Sequence, residues 1–228
     1  MSERPALSLV LPVHDQADHL EAVVRRLADA LSELGVAYEI LLVPNGCSDD
    51  SAAICDRLAA DLPKVRSLPI AGRGWGVAVR AGIAAAAGRL IGYSNAARTQ
   101  PADLVRIVDE ALRQPRIVKA TRVLRERSVR RWGSRLYNLE CRLLFGLAGC
   151  DINGTPKVFP RDCAALLDLA QDGDLLDLEF IVTCRRRGYP VTEIPIRSDR
   201  RHGGRSTTRW RSAWRLYRGA WALWRASP

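Results

Sequence analysis

The sequence predicts an α/β protein in which helices flank a doubly wound, mostly parallel sheet. Three observations support this fold class. In the first hundred residues, short apolar runs alternate with segments of helical periodicity. The length of 228 residues suits one sizeable domain. Hydrophobic residues make up 47% of the chain, which is enough for a substantial core.

Each element of the first half follows from its residue pattern. Runs rich in Ile, Leu and Val predict buried strands, and apolar residues at helical spacing predict the helices between them. In order, we expect strand 7–13, helix 18–34, strand 38–43, helix 49–62, strand 65–70, helix 74–87 and strand 90–94. Ligands bind at the carboxyl ends of the strands in such sheets. The loops that follow those ends are 14–15, 44–46 and 95–98.

The second half of the chain is less regular. The expected elements are helix 101–112, strand 117–120, helix 132–147, edge strand 156–159, helix 161–169, helix 177–187, strand 191–196 and helix 207–225. The chain shows no internal repeat or clear linker, so we expect a single domain over residues 1–228.

The charge balance favours an anionic partner. The formal net charge is +10 and the cations are nearly all arginine, which binds phosphate in a bidentate manner. A phosphate-rich ligand, an acidic membrane face and nucleic acid all fit this charge, and genomic base composition is a further explanation of the arginine bias. Because no nucleic-acid-binding module is recognisable, we do not expect nucleic acid as a partner.

Cysteine usage and the leading residues predict a cytoplasmic protein. The six cysteines include no C-x-x-C pair and are expected to be reduced thiols. The first residues do not resemble a signal peptide, and no apolar run approaches the roughly 20 residues needed to span a bilayer.

Six short motifs, taken in order, carry a resemblance to a known family. They are Leu9-Val10-Leu11-Pro12-Val13-His14-Asp15, Val43-Pro44-Asn45-Gly46-Cys47-Ser48-Asp49, Gly74-x-Gly76-x-Ala78-x-x-x-Gly82, Asp151-Ile152-Asn153-Gly154-Thr155-Pro156-Lys157, Glu193-Ile194-Pro195-Ile196 and Arg201-x-x-Gly204-x-Ser206-Thr207. Their order and spacing resemble the family 2 glycosyltransferases of GT-A fold, especially the dolichol- or polyprenyl-phosphate sugar synthases. Gly74 does not follow the first strand, so we interpret this glycine motif as helix–strand packing rather than a dinucleotide fingerprint.

The resemblance implies an inverting glycosyltransferase. It would use a nucleoside-diphosphate sugar and a membrane-associated acceptor, with polyprenyl phosphate as the first candidate. Residues 1–100 would bind the donor, residues 101–206 the acceptor, and residues 207–228 would form an amphipathic helix. The expected donor-binding residues are Pro12, His14, Asp15, Asn45, Arg73, Asn95 and Arg98.

The chain departs from the family at the metal site. Relatives carry an Asp-x-Asp pair where this chain has Asn95-Ala96-Ala97, and Asn45 replaces another carboxylate. We hypothesise that guanidinium groups replace the divalent cation, with Arg98 as the catalytic candidate among Arg73, Arg89 and Arg98, which we place in or beside these loops. No metal cofactor is then required, and Mg²⁺ or Mn²⁺ is the alternative. A non-catalytic relative that binds nucleotide or lipid as a regulatory subunit also remains open.

Acidic and basic residues of the second half are assigned to the acceptor side. We expect Asp177 and Glu179 to be catalytic or to contact the sugar or acceptor, although capping of a helix N-terminus also explains carboxylates there. The candidates for phosphate binding are Lys157, Arg201, His202 and Arg205. A solvated basic loop is the alternative for the last three.

The last predicted helix carries a stripe of aromatic residues. Its members, spaced by three or four residues, are Trp210, Trp214, Tyr217, Trp221 and Trp224. With arginines beside it, the stripe is typical of a helix in a membrane interface, which predicts peripheral attachment of 207–225 to an anionic cytosolic membrane face. Packing on the core or in a homodimer explains the same spacing.

Overall fold

We describe a computed structural model of the chain over residues 4–125, 128–148, 151–198 and 210–225. The strands are β1 (Leu7–Val13), β2 (Tyr38–Pro44), β3 (Val65–Ser67), β4 (Leu90–Tyr93), β5 (Ile117–Arg125), β6 (Lys157–Pro160) and β7 (Val191–Ser198). The helices are α1 (Leu20–Glu33), α2 (Ser51–Asp61), α3 (Trp75–Ala85), α4 (Pro101–Arg113), α5 (Ser128–Phe145), α6 (Leu176–Arg186) and α7 (Trp210–Arg225).

The seven strands form one sheet in the order β3-β2-β1-β4-β6-β5-β7. All neighbours pair in parallel except β6, which is antiparallel to both β4 and β5. The predicted α/β fold with a mostly parallel sheet is therefore confirmed. The prediction of an edge strand at 156–159 was wrong, because β6 lies inside the sheet between β4 and β5.

Two further elements differ from the sequence prediction. The expected helix at 161–169 is only a 3-10 turn over Ala164–Leu166. The strand expected at 117–120 continues to Arg125, because β7 pairs with it along that whole length. β6 pairs with β5 only as far as Lys119, and β5 and β7 continue beyond it as a two-stranded ribbon to Arg125. At 3.3 Å per residue, this ribbon extends about 20 Å past Lys119.

Helices cover both faces of the sheet. Alternate β1 residues point to opposite sides, so that Leu9 packs in one cluster with α1, α2 and α4, and Val10 packs in another with α3 and α6. A third cluster joins α5, α6 and α7. No helix in the described ranges is long and apolar enough to cross a membrane.

Close packing of α3 on β1 depends on a glycine. A Cβ atom added at Gly82 would lie 2.2 Å from Val10 Cγ1, and Val10 is fully buried. The interpretation of the glycine motif as helix–strand packing agrees with this contact.

We expect Gly82→Ala to lower the free energy of unfolding by about 1–3 kcal/mol through overpacking, despite the roughly 1 kcal/mol by which alanine favours a helix. Urea unfolding measures the change. Gly173→Ala is the control, because nothing lies within 4 Å of its added Cβ. Val10→Ala should make room for the new methyl group, so a double-mutant cycle should show favourable coupling. A Gly82→Ala protein as stable as the parent would contradict the packing argument.

Candidate active site

Asn45 joins the first two loops at the carboxyl edge of the sheet. Its Nδ2 donates to the carbonyl oxygens of Val13 (2.8 Å) and Val43 (3.3 Å). Its Oδ1 accepts from the Gly74 N–H at 3.2 Å, just before α3. The Asn45 carbonyl lies 3.0 Å from His14 Nδ1. Because both ends of this amide are hydrogen-bonded and the residue is 3% exposed, Asn45 braces the ends of β1, β2 and α3.

Asp15 and Asp49 tie the same loops together. Asp15 has a positive φ of 49° and accepts from the Ser48 N–H at 2.7 Å. That hydrogen bond lowers the pKa of Asp15 below its ordinary value. Asp49 accepts from the Ala17 N–H at 3.0 Å. Each loop therefore supplies a carboxylate to the backbone of the other, while the Asp15 side chain stays 40% exposed at this edge.

The loop after β4 is a tight turn. Asn95 Oδ1 accepts from the Ala97 N–H, and the Asn95 carbonyl accepts from the Arg98 N–H, both at 3.0 Å. Ala96 and Ala97 are fully buried. Within the described ranges, no group of three or more His, Cys, Asp or Glu side chains could hold a metal ion. The residues of this turn therefore do not fit a carboxylate-held divalent cation.

Three arginines were expected beside these loops, and two of them lie there. Arg73 is exposed and packs over Gly46, since a Cβ added to that glycine would lie 3.0 Å from Arg73 Cβ. Arg98 is half-buried in the turn after β4. The placement of Arg89 was wrong: it precedes β4, and its N–H donates to the Pro5 carbonyl at 2.9 Å. It therefore lies at the opposite, amino edge of the sheet. Pro12 is buried within β1.

A buried ion pair joins α6 to β6. Asp177 of α6 accepts at Oδ1 from Lys157 Nζ and from the Tyr93 hydroxyl, the latter at 2.9 Å. Lys157 is fully buried and Asp177 is 5% exposed. Burial lowers the pKa of Lys157, and the Asp177 carboxylate offsets part of that shift. Burial, followed by the same carboxylate, raises the pKa of Tyr93.

The pair belongs to a row of polar side chains that crosses four strands. Tyr93 is in register with Lys157, Lys157 with Lys119, and Lys119 with Glu193. Lys119 Nζ, 1% exposed, donates to Glu193 at 2.9 Å.

Beside the row, Arg122 and Asp151 form a bidentate pair with two 2.7 Å contacts. The buried carboxylates of Asp151 and Asp177 and the partly buried one of Glu193 therefore each have a cation.

Four residues of this region were not predicted from the sequence as members of the site: Tyr93, Lys119, Arg122 and Glu193. One signal was present: Lys119 interrupts an apolar strand in a chain with very few lysines. Its importance depends on strand register, which no local pattern reveals.

Glu179 braces a loop rather than facing open space. Its carboxylate accepts from the N–H groups of Ala170 (2.9 and 3.0 Å) and Gln171 (2.9 Å). The next residue, Asp172, accepts at its carbonyl from the Val77 N–H at 3.0 Å, in the first turn of α3. Glu179 thus holds the loop that covers the start of α3, next to Gly74.

The predicted phosphate-binding residues Arg201, His202 and Arg205 lie outside the described residues.

We expect Asn45→Asp to destabilise the protein by about 1–3 kcal/mol, because a carboxylate cannot donate to the Val13 and Val43 carbonyls. Chemical unfolding measures the loss. Asn138→Asp is the matched control, since Asn138 Oδ1 accepts from the Ile152 N–H and an aspartate keeps that acceptor. Equal stability of the two variants would show that Asn45 is not a brace.

Asp177→Asn should cost about 3–5 kcal/mol of unfolding free energy, because it leaves the Lys157 ammonium buried without a carboxylate. Thermal or urea unfolding tests this. Asp172→Asn breaks an exposed ion pair with Arg80 and should cost less than about 1 kcal/mol. If both changes lowered the free energy of unfolding by the same small amount, the buried pair would not contribute the stability that we assign to it.

Comparison with known proteins identifies the family. The family model described as "Glycosyl transferase family 2" matches residues 8–166. The chain is 32% identical over 194 residues to the undecaprenyl-phosphate 4-deoxy-4-formamido-L-arabinose transferase of Pseudomonas fluorescens, covering 83% of this chain and 52% of that protein. It is 31% identical to the glycosyltransferase AglD of Haloferax volcanii, covering 83% of this chain and 32% of that protein. The chain thus spans about half, or less, of these curated relatives.

Solved structures agree with the fold. Glucosyl-3-phosphoglycerate synthase from Mycobacterium tuberculosis, in complex with Mn²⁺, uridine diphosphate and phosphoglyceric acid, superposes with a TM-score of 0.71 at 19% identity. The match covers 96% of this chain and 76% of that one. With its sheet, its carboxyl-edge loops and the family match over most of its length, the chain belongs to glycosyl transferase family 2 and has the GT-A fold.

Proposed function

We propose that this glycosyltransferase moves a sugar from a nucleoside-diphosphate donor to a polyprenyl phosphate, with inversion at the anomeric carbon. The observation that carries the acceptor class is the 32% identity to a transferase named for undecaprenyl phosphate. The donor class is supported by the uridine diphosphate bound to the M. tuberculosis enzyme of the same fold. The regulatory, non-catalytic alternative rests on the buried alanines of the turn after β4.

The proposed reaction needs no proton removal from the acceptor. A phosphate oxygen attacks the anomeric carbon and forms a new C–O bond. The bond from that carbon to the donor diphosphate breaks, and the nucleoside diphosphate leaves with the electron pair. Because a phosphate is already a nucleophile, the side chains have to position two anions and stabilise the leaving charge.

The electrostatics of the acceptor side suit two anionic substrates. Asp177, Glu193 and Asp151 are each paired with Lys157, Lys119 and Arg122 respectively, so their carboxylates present little net negative charge. We propose that Asp177, whose charge is balanced by Lys157, positions the sugar or acceptor. Glu179 would contribute indirectly, by holding the loop at 170–171 in place. Arg201, His202 and Arg205 remain the proposed ligands of the acceptor phosphate.

On the donor side we propose Pro12, His14, Asp15, Asn45, Arg73, Asn95 and Arg98. Arg98 is the leading candidate for contact with the departing diphosphate, because a guanidinium can form a bidentate, charge-assisted pair with phosphate oxygens. Metal independence is part of this proposal. Its support is the poor fit of the turn at Asn95 to a carboxylate-held cation, and the Mn²⁺ in the M. tuberculosis enzyme is the reason to test it.

The test is titration calorimetry with UDP, GDP, CDP and dTDP and their sugar conjugates, in EDTA and again with Mn²⁺. We expect one donor to bind in EDTA and Arg98→Ala to weaken that binding by about 10- to 100-fold, as for a lost hydrogen bond to a charged group. Arg89→Ala is the matched control, an exposed arginine at the other end of β4. Transfer to undecaprenyl phosphate is then measured with the donor that binds.

The outcomes separate the alternatives. Binding only with Mn²⁺ would refute metal independence and keep the donor class. Donor binding with neither hydrolysis of the donor nor transfer to any of several acceptors would favour the regulatory relative. An Arg98→Ala protein that binds as well as Arg89→Ala would remove Arg98 from the site.

A further inference from the structure

Helix α5 exposes a line of leucines. Leu136, Leu139 and Leu143 are 59%, 51% and 77% exposed, and their spacing places them along one side of the helix. The other side is the buried one: Tyr137 and Cys141 pack in the cluster shared with α6 and α7. α5 therefore has an apolar outer side that no described part of this chain covers.

Helix α7, which packs against α5, also exposes two tryptophans. Trp221 and Trp224 are 49% and 43% exposed and contact each other edge to face, with ring centroids 5.4 Å apart. Tyr217 instead packs inward against Tyr137, at 5.7 Å between ring centroids. The aromatic stripe predicted from sequence is thus divided, with its tyrosine in the interface with α5 and its last two tryptophans outside.

The two helices are strongly basic. Between them α5 and α7 contain eight arginines and one glutamate, whereas the whole chain has 35 basic and 25 acidic residues. Arg142, Arg218 and Arg225 are exposed on them. Exposed leucine and tryptophan beside arginine match an anionic lipid surface, where indole rings sit at headgroup level and guanidinium groups meet phosphate.

The start of α5 is also well placed relative to the site. α5 begins at Ser128, directly after the ribbon of β5 and β7 that continues beyond the register of β4 and β6. The start of α5 therefore lies on the same side of the sheet as the loops that carry Asp15, Asn45 and Arg98.

We infer that Leu136, Leu139, Leu143, Trp221 and Trp224 form one docking face, which seats the protein on an anionic bilayer. The purpose of this docking rests on the proposed function, since it would bring the acceptor side to a lipid-linked phosphate. The face differs from the one expected from sequence, because the leucines of α5 share the contact with α7. A second copy of this chain is the other occupant that the same face could take.

Vesicle co-sedimentation of the full chain tests the docking face. The vesicles are phosphatidylcholine alone, or with about 30% phosphatidylglycerol to supply the anionic charge. We expect binding to the anionic vesicles that weakens as salt rises. Leu139→Glu/Leu143→Glu and Trp221→Ala/Trp224→Ala should each lower the partition coefficient by about tenfold or more.

The matched control places the same two charges elsewhere. Ala53 and Ala60 are exposed on α2, and Ala53→Glu/Ala60→Glu should change the partition coefficient by less than about twofold. Donor calorimetry on every variant separates the two proposals, because loss of vesicle binding with intact donor binding concerns the docking face alone.

Two outcomes would overturn the inference. One is absence of binding to anionic vesicles, or binding that neither double variant reduces. The other is a concentration-dependent dimer, seen by light scattering, that Leu139→Glu/Leu143→Glu dissociates while vesicle binding is absent. That result would assign the face to a second copy.

Discussion

The pairing of Lys157 with Asp177 is the interaction on which the second half of the sheet depends. Lys157 occupies an interior strand with both neighbours hydrogen-bonded to it, and its ammonium has no route to water. A buried charge of this kind is tolerated only beside a partner. The partner carboxylate is Asp177 of α6. The position of that helix over the sheet is therefore linked to the charge on Lys157 of β6. Tyr93 adds β4, and thus the first half of the chain, to the same contact.

A chain of hydrogen bonds also links α6 to the loop that carries Asn45. Glu179 holds the loop at 170–171, Asp172 of that loop accepts from the start of α3, and the residue before α3 donates to Asn45. α6 is therefore connected to the candidate site twice, through Asp177 at the ends of Lys157 and Tyr93 and through Glu179 by way of the loop at 170–171 and the start of α3. These contacts hold α3, α6 and the loop at 170–171 in fixed positions relative to one another.

Local patterns predicted much of the fold and part of the site. The alternation of strands and helices gave the parallel sheet, and the rule about carboxyl ends located the loops of His14, Asn45 and Asn95. The row through Tyr93, Lys119 and Glu193 could not be predicted, because it exists only once β6 is inserted between β4 and β5. The flanking prolines of that strand favour an edge, and only non-local pairing overrides them. Arg89 was misplaced because strand direction, not proximity in sequence, decides which edge a residue occupies.

The insertion of β6 also determines which strand edge is exposed when the chain is incomplete. Until Lys157–Pro160 has been synthesised, β4 has a partner on one side only, and its other edge presents unpaired backbone groups between buried apolar residues. Such an edge readily pairs with other chains. The first hundred residues alone would leave this edge of β4 open. A fragment that ends after β4 should therefore associate through this edge more readily than the full chain, in which the antiparallel strand β6 covers it.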